Sequence, residues 1–254
     1  MDELLVTREG PVVRLTLNRP ERRNPLSLRM MEEVIDALAE LDDEARVVVI
    51  AGAGPAFSAG HDLAEIVGAE QAFTDDLFAR CTEMMEAVQA IPQPVIARVH
   101  GVATAAGCQL VASCDLVVAA ATARFATPGV KIGLFCSTPM VPLIRAIGRK
   151  RAMEMLLTGQ YIDAPTAASW GLVNRVVPEE DLDAEVAALV ESILSSSQLV
   201  IGIGKRAFYD QVDLDQHAAY ERTTSVMSAN ARLDDAQEGM SAFLQKRPPR
   251  WTNR

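Results

Sequence analysis

The sequence predicts an α/β fold, in which a mostly parallel β-sheet is covered by helices, followed by an all-helical C-terminal region. In the first half of the chain, strand-like segments alternate with amphipathic helices. Repeated strand–helix–strand units favour a parallel sheet with both faces covered. From Leu182 onward, almost every segment has helical periodicity. We therefore expect a core over residues 1–195 and a helical region over residues 196–254.

The first elements follow from alternation and capping. Val13, Leu15 and Leu17 alternate with other residues as in a strand, and a turn is expected just before them at Gly10. Ser27 is a suitable N-cap for the helix that follows.

The middle of the chain predicts central strands around a long helix. The β-branched run Val47–Ile50 predicts one buried strand, and Val95–Val99 predicts the next. Between them, apolar side chains recur on one side of Gln71–Ala90, and prolines follow, so a helix is expected there. The shorter elements predicted after these are a helix over Ala105–Ser113, a strand over Leu116–Ala119, a helix over Lys150–Thr158, a helix from Pro165 to Gly171 and a strand over Leu172–Val177.

Charge and hydrophobicity limit the partners. A net charge of -10 argues against binding to nucleic acid or to an anionic membrane surface. Polar residues interrupt the most apolar stretch, Pro94–Ala123, so no membrane span is predicted. A phosphate-bearing ligand would need a local basic cluster. Such clusters occur at Arg19, Arg22 and Arg23, and at Lys246, Arg247 and Arg250.

The cysteines and the N-terminal segment indicate the compartment. The chain has 4 cysteines without a CxxC pair, and their spacing fits neither a zinc site nor a disulfide framework. We interpret them as reduced thiols and predict no metal site. The segment MDELLVTREG has neither a basic nor an apolar stretch, so it does not resemble a signal peptide. These features predict a cytoplasmic protein.

Several motifs carry chemical information. They are AFSAGHDL at residues 56–63, HGVATAAGCQL at 100–110 and FATPGV at 125–130. With NRP at 18–20 and NPL at 24–26, they resemble the enoyl-CoA hydratase/isomerase, or crotonase, family from about residue 4 to the C-terminus. The segments TAAGCQLVASCD and FATPGV are most similar to one subgroup, the enoyl-CoA hydratase domain-containing protein 3 type.

The resemblance implies a fold, a ligand and an assembly. The fold is a crotonase-type spiral of β-β-α units, and the ligand is an acyl-CoA thioester. The C-terminal helical region is expected to form a homotrimer, which can pair into a hexamer. No cofactor is implied, because coenzyme A is part of the substrate.

Two backbone donors are implied by the same resemblance. The N–H groups of His61 and Ala106 would bind the thioester oxygen as the α-carbon becomes enolate-like. One such donor is worth roughly 2.7–4 kcal/mol in well-studied enzymes. Gly60 lets the chain turn, and Gly107 lies near a helix N-terminus, which favours an anion. Because alanine replaces the family's usual glycine at Ala105 and Ala106, we expect both to avoid positive φ.

The hydratases of this family use two glutamates that are replaced here. Gln109 and Gly129 stand at the corresponding positions. One carboxylate activates water and the other group protonates carbon, and each proton transfer contributes roughly 10²–10⁴-fold to the rate. The side-chain amide of Gln109 can perform neither task, and Gly129 has only a hydrogen atom as its side chain. We therefore expect little hydratase activity.

Other side chains are candidates for chemistry at this site. Ser137 lies about where some family members have an acid. Cys136 is either a nucleophile or a small buried residue. Gln109 either orients water or the thioester, or forms structural hydrogen bonds. The His61 imidazole is an acid–base candidate, although we favour a role for its N–H alone.

Candidate substrate-binding residues flank these groups. Asp62 is expected mainly to brace its loop, and Lys246 either contacts a phosphate of coenzyme A or is simply solvated. The full set of candidate substrate contacts is Arg22, Ala59, Gly60, Asp62, Leu63, Gly107 and Lys246.

Three functions are compatible with the sequence. The first is an enzyme that handles an acyl-CoA enolate without the two glutamates, by isomerisation, thioester hydrolysis or decarboxylation. The second is a non-catalytic acyl-CoA-binding or scaffold protein. The third is a conventional enoyl-CoA hydratase, and the chemistry favours it least.

Overall fold

The computed structural model describes residues 2–254 and contains two β-sheets. The strands are β1 (Leu4–Glu9), β2 (Val12–Leu17), β3 (Val47–Gly52), β4 (Val95–Val99), β5 (Val102–Thr104), β6 (Leu116–Ala120), β7 (Arg124–Ala126), β8 (Ile162–Asp163) and β9 (Arg175–Val177). The helices are α1 (Leu28–Ala39), α2 (Leu63–Ile66), α3 (Gln71–Ala90), α4 (Ala106–Ser113), α5 (Met140–Ile147), α6 (Arg149–Thr158), α7 (Ala164–Trp170), α8 (Leu182–Leu194), α9 (Gln198–Gln211), α10 (Gln216–Asn230) and α11 (Asp234–Gln245).

The large sheet has the strand order β1-β2-β3-β4-β6-β9. Every neighbouring pair is parallel except β1 and β2, which form an antiparallel hairpin. A small second sheet has the order β5-β7-β8. The predicted α/β class with a mostly parallel sheet is therefore confirmed.

The central strands are buried on both faces, as continuous β-branched runs predict. On β3, Val48 and Ile50 belong to the main core, which packs against α1, α3 and α4. Their neighbours Val47 and Val49 point to the opposite face, where α8 covers them. The alternation of side chains along a strand thus divides one apolar run between two cores.

Local signals explain where several helices begin or end. Ser27 Oγ accepts the Met30 N–H at 3.0 Å and caps α1, as predicted. Asp163 caps α7 in the same way, by accepting the Thr166 N–H at 2.9 Å. Gly159, in the left-handed conformation, ends α6 as predicted.

Some elements were not predicted. Strand β1 was missed because its residues beyond Leu4 are exposed, so they lack the alternation of a half-buried strand. The small sheet was missed because its strands are only 2 or 3 residues long. The last strand, β9, begins at Arg175, whereas the prediction placed its start at Leu172. Leu172 and Val173 are buried core residues that precede the strand.

A half-buried polar cluster joins the C-terminal helices to the core. Lys205 on α9 donates from Nζ to the carbonyl oxygens of Val88 and Gln93, both at 2.9 Å, and pairs with Asp115 Oδ2 at 2.7 Å. Tyr209 donates to the other Asp115 oxygen at 2.9 Å. Because all three Lys205 donors are used, the cluster positions α9 against the ends of α3 and β4.

Within residues 2–254, no single helix is long and apolar enough to cross a membrane. Only one bent pair, Glu179–Leu194 with Gln198–Gln211, meets that length and composition when taken together.

Candidate active site

A cavity of about 580 Å³ lies where the 56–63 segment, the start of α4 and the 128–139 segment meet. It brings together most of the residues singled out from the sequence. Those on its wall are Arg22, Ala59, His61, Asp62, Leu63, Ala106, Cys136 and Ser137. The other wall residues are largely apolar.

Asn24 positions the first wall segment. Its buried side-chain amide donates to the carbonyl oxygens of Ala53 and Ala56, both at 2.8 Å. Backbone bonds on either side, from Ala59 N to Arg23 O at 2.9 Å and from Leu26 N to Gly60 O at 2.8 Å, fasten the segment to the loop before α1. The cavity edge is thus rigidly connected to the core.

Glycines allow the two donor segments to approach closely. Gly60 has a φ of +91°, and a Cβ there would lie 2.8 Å from Ala105 Cβ and 3.2 Å from Ala106 N. A Cβ on Gly107 would lie 2.6 Å from the carbonyl oxygen of Ser58. Only glycine fits at both positions, which explains these two residues of the motifs.

The expectation that both alanines avoid positive φ is wrong for Ala105. Its φ is 50° and its ψ is -119°, whereas Ala106 is helical. Hydrogen bonds on both sides impose this conformation: Ala105 N donates to Ala126 O at 2.9 Å, and Ala105 O accepts from Gln109 N at 3.0 Å. The turn from β5 into α4 needs the conformation, so alanine adopts it at a cost of order 1–3 kcal/mol.

Two backbone donors remain available at the cavity. Among residues 2–254, the N–H groups of His61 and Ala106 donate to no backbone oxygen. Both residues lie on the cavity wall, and Ala106 is the first residue of α4. The helix dipole therefore adds partial positive charge at the second donor.

Asp62 braces the loop, as expected. Its carboxylate pairs with Arg19 at 3.2 Å and with Arg22 at 3.1 Å. The same carboxylate accepts the Ala64 N–H at 3.1 Å and so caps α2. Asp62 is buried, and both of its carboxylate oxygens accept hydrogen bonds from these arginines.

The His61 imidazole is turned into the wall. Its Nδ1 lies 3.3 Å from the carbonyl oxygen of Leu26, and its ring meets Phe78 edge to face at 5.3 Å. Nε2 is buried without a partner among the described residues. Burial lowers the pKa of His61 below its usual 6.5, against the opposing effect of the Leu26 carbonyl. The ring is therefore neutral at pH 7.

Cys136 fills the space beside Gly129. Its sulfur lies 2.8 Å from where a Cβ on Gly129 would stand. Burial raises the pKa of the thiol, and the Gly129 N–H opposes this in part. The protonated thiol is thus the form present at neutral pH.

Some candidates do not reach the cavity surface. Gln109 is buried in α4, where its Oε1 accepts from Cys81 Sγ at 3.9 Å, so the structural interpretation of this residue fits best. Lys246 is exposed at the end of α11, away from the cavity wall of its own chain. Gly60 and Gly107 shape the wall from behind rather than line it.

Several wall residues were not predicted. Phe78 follows Leu77 on α3 and lies outside the apolar stripe of that helix. An aromatic residue outside the stripe was the one sequence signal that could have indicated a wall residue. Lys131, Ile132, Leu134 and Phe135 follow the third motif, where no periodicity indicated their direction.

The comparisons with known proteins show the family of this chain. The family described as enoyl-CoA hydratase/isomerase matches residues 7–254, so the chain belongs to the crotonase family. It is 46% identical over 252 residues to enoyl-CoA hydratase domain-containing protein 3, mitochondrial, of Danio rerio, covering 98% of this chain and 87% of that protein. The predicted similarity to this subgroup is therefore confirmed.

Solved structures confirm the crotonase-type fold. The crystal structure of an enoyl-CoA hydratase from Mycobacterium smegmatis has a TM-score of 0.96 and 49% identity, and 98% of each chain is covered. The human enoyl-CoA hydratase domain-containing protein 3 has a TM-score of 0.95 and 43% identity, over 98% of this chain and 100% of that one.

Proposed function

We propose that this protein binds acyl-CoA thioesters and stabilises a thioester enolate through the backbone N–H groups of His61 and Ala106. The observation that carries this proposal is the pair of N–H donors without backbone partners at one cavity. Charge that develops on a thioester oxygen there is stabilised without any side chain having to move.

The cavity supports an acyl thioester in two further ways. Apolar side chains such as Leu63, Phe78 and Phe135 suit an acyl group. Arg22 and Lys131 place positive charge on the same wall, which suits a ligand that bears phosphates. These local cations matter because the chain as a whole is acidic.

Conventional hydration is not supported by the side chains present. By resemblance, the two glutamates of the hydratases correspond to Gln109 and Gly129. The only carboxylate on the described cavity wall belongs to Asp62, which Arg19 and Arg22 already engage. Neither a base for water nor a carboxylic acid for carbon is available.

Calorimetric titration with butyryl-CoA tests the proposal. We expect saturable binding, weakened at least tenfold by Gly60→Ala, because the new methyl group would collide with Ala105 and displace a donor. Gly68→Ala is the matched control. Gly68 also has positive φ, at +78°, but its surroundings are open, so binding should not change. Absence of heat and of any thermal shift at millimolar butyryl-CoA would refute acyl-CoA binding.

A non-catalytic acyl-CoA-binding protein is the second candidate. The replacement of both glutamates favours it, and the retained donor pair does not oppose it. Formation of any product from a panel of acyl-CoA thioesters would exclude it.

The assembly and the compartment are also proposals. We propose a homotrimer, and the exposed Phe243 and Leu244 on α11 support a contact between chains. In such a trimer, Lys246 could serve a neighbouring chain's site. The cytoplasmic location stays a prediction, and the Danio rerio relative carries the word mitochondrial in its name.

A further inference from the structure

The cavity contains donors for an enolate but no base to form one. The titratable side chains on its described wall are Arg22, His61, Asp62, Lys131 and Cys136. Arginine and lysine are cationic at neutral pH. Asp62 is bound by two arginines and by the start of α2. The remaining two groups decide what chemistry is possible.

Neither of these two groups is placed to remove a proton from carbon. His61 is neutral, but its Nδ1 lies against the Leu26 carbonyl and its Nε2 is covered by the protein. Cys136 has the opposite character: it is a protonated thiol on the cavity wall. The wall therefore offers a proton donor without a proton acceptor.

One reaction class forms a thioester enolate without a base. Loss of carbon dioxide from a 2-carboxyacyl thioester breaks the bond between C2 and the carboxylate carbon. The electron pair of that bond passes to C2 and on to the thioester oxygen. The oxygen would accept hydrogen bonds from the His61 and Ala106 N–H groups at that moment.

We propose that the cavity decarboxylates 2-carboxyacyl thioesters of coenzyme A, with the Cys136 thiol donating a proton to C2 of the enolate. This inference rests on the proposed function. The S–H bond breaks as the C2–H bond forms, and the resulting thiolate regains its proton from water. No oxidant, reductant or metal enters the balance.

The position of Cys136 supports its role as the donor. Its sulfur fills the space into which a side chain at position 129 would project, and position 129 corresponds by resemblance to a glutamate of the hydratases. The Gly129 backbone partly opposes the rise in the pKa of the thiol, which favours the thiolate left after transfer. Apolar residues such as Phe135 stand next to it on the same wall.

The experiment uses the full chain with malonyl-CoA and with 2-methylmalonyl-CoA in D₂O. Chromatography measures the decarboxylated thioester from both substrates. NMR of a chiral derivative measures the configuration at C2 of the product from 2-methylmalonyl-CoA, because the product from malonyl-CoA has no stereocentre there. We expect turnover and deuterium on one face of C2. Cys136→Ala should lower the rate by about 10²-fold and scramble the deuterium between the faces. Cys136→Ser introduces a hydroxyl group of similar size but far weaker acidity, so it should lower the rate and scramble the deuterium as Cys136→Ala does.

Cys108→Ala is the matched control. Cys108 is a buried neighbour of Cys136 that lies outside the cavity wall, so the rate and the configuration should not change. Circular dichroism and butyryl-CoA titration show whether each variant is folded and binds. If wild-type protein binds butyryl-CoA but releases no product, the decarboxylation is wrong and the proposed function stands. If it binds no acyl-CoA, the proposed function fails as well. Turnover with one-sided deuteration in folded Cys136→Ala would refute the role of Cys136.

Discussion

The carbonyl oxygen of Leu134 lies 2.0 Å from the position that a Cβ on Gly129 would occupy. A side chain at position 129 therefore requires the 128–139 segment to move, although Gly129 does not have positive φ. The Leu134 N–H also donates to Gly129 O at 3.0 Å, which fixes the two residues together. This turn presents Cys136 and Ser137 to the cavity.

Gly129→Ala should lower the free energy of unfolding by about 1–3 kcal/mol, because the methyl group overpacks the turn. Chemical denaturation measures this change. Gly204→Ala is the control, since no atom lies within 4 Å of its added Cβ and its φ is ordinary. It should stabilise α9 by roughly 0.4–1 kcal/mol. Equal effects of the two substitutions would contradict the packing at Gly129.

The strain at Ala105 predicts a stabilising substitution. Ala105→Gly should raise the free energy of unfolding by about 1 kcal/mol, because glycine adopts positive φ readily. Ala106→Gly, one residue later and helical, should lower it by about 0.5–1 kcal/mol. Paired denaturation curves test the opposite signs. Destabilisation by both would show that Ala105 is unstrained.

Positions 105 and 129 also show what the sequence can and cannot predict. The resemblance of the motifs to the crotonase family was sufficient to predict that His61 and Ala106 share one site, and both residues line the same cavity. The φ of Ala105 and the crowding at Gly129 depend on contacts with Ala126 and Leu134, which are set by tertiary packing. Residue type alone suggested the reverse at Ala105.

The same limit explains the mixed outcome for the candidate side chains. Cys136 and Ser137 reach the cavity, whereas Gln109 on α4 turns towards Cys81. Helical periodicity fixes a residue's face, but a short helix of small residues that is buried nearly throughout gives no clue to which buried face meets a cavity. Strand β3 was predictable because a strand buried on both faces leaves a continuous β-branched run. Helix α3 was predictable because burial of one face leaves a helical period in the sequence.

Hydration of crotonyl-CoA should be at least about 10⁴-fold slower than with a conventional hydratase, since two proton-transfer groups are missing. Gln109→Glu alone should raise the rate less than tenfold, because position 109 does not reach the cavity surface. Adding glutamate at Gly129 is blocked by the Leu134 carbonyl. Loss of the enoyl absorbance follows the reaction. A normal hydratase rate in the wild type would contradict the assignment of the two positions.

Acid should destabilise the wild type partly through His61. Burial keeps the pKa of His61 in the folded state below 6.5, its usual value in an unfolded chain. Between the folded and the unfolded pKa, the unfolded chain therefore binds the proton more readily. Stability is therefore lost as the pH falls below about 6.5. The other titratable groups at the cavity, namely Arg22, Asp62, Lys131 and Cys136, are retained in His61→Gln.

The readout is the difference in unfolding free energy between wild type and His61→Gln. It should be constant above about pH 7.5 and should change in favour of the variant on acidification. Parallel stability curves from pH 8 to pH 5 would show that burial does not perturb this imidazole. Since any residue except proline keeps the backbone N–H, His61→Gln should still bind butyryl-CoA.

The central claim is that the thioester carbonyl accepts hydrogen bonds from the His61 and Ala106 N–H groups. Difference infrared spectroscopy with butyryl-CoA carrying ¹³C at the carbonyl measures this directly, because strong hydrogen bonds lower the C=O stretching frequency. We predict that the bound carbonyl absorbs below its frequency in water, and that Gly60→Ala reduces the shift while Gly68→Ala leaves it unchanged. A saturably bound thioester whose carbonyl absorbs at or above its frequency in water would contradict the claim.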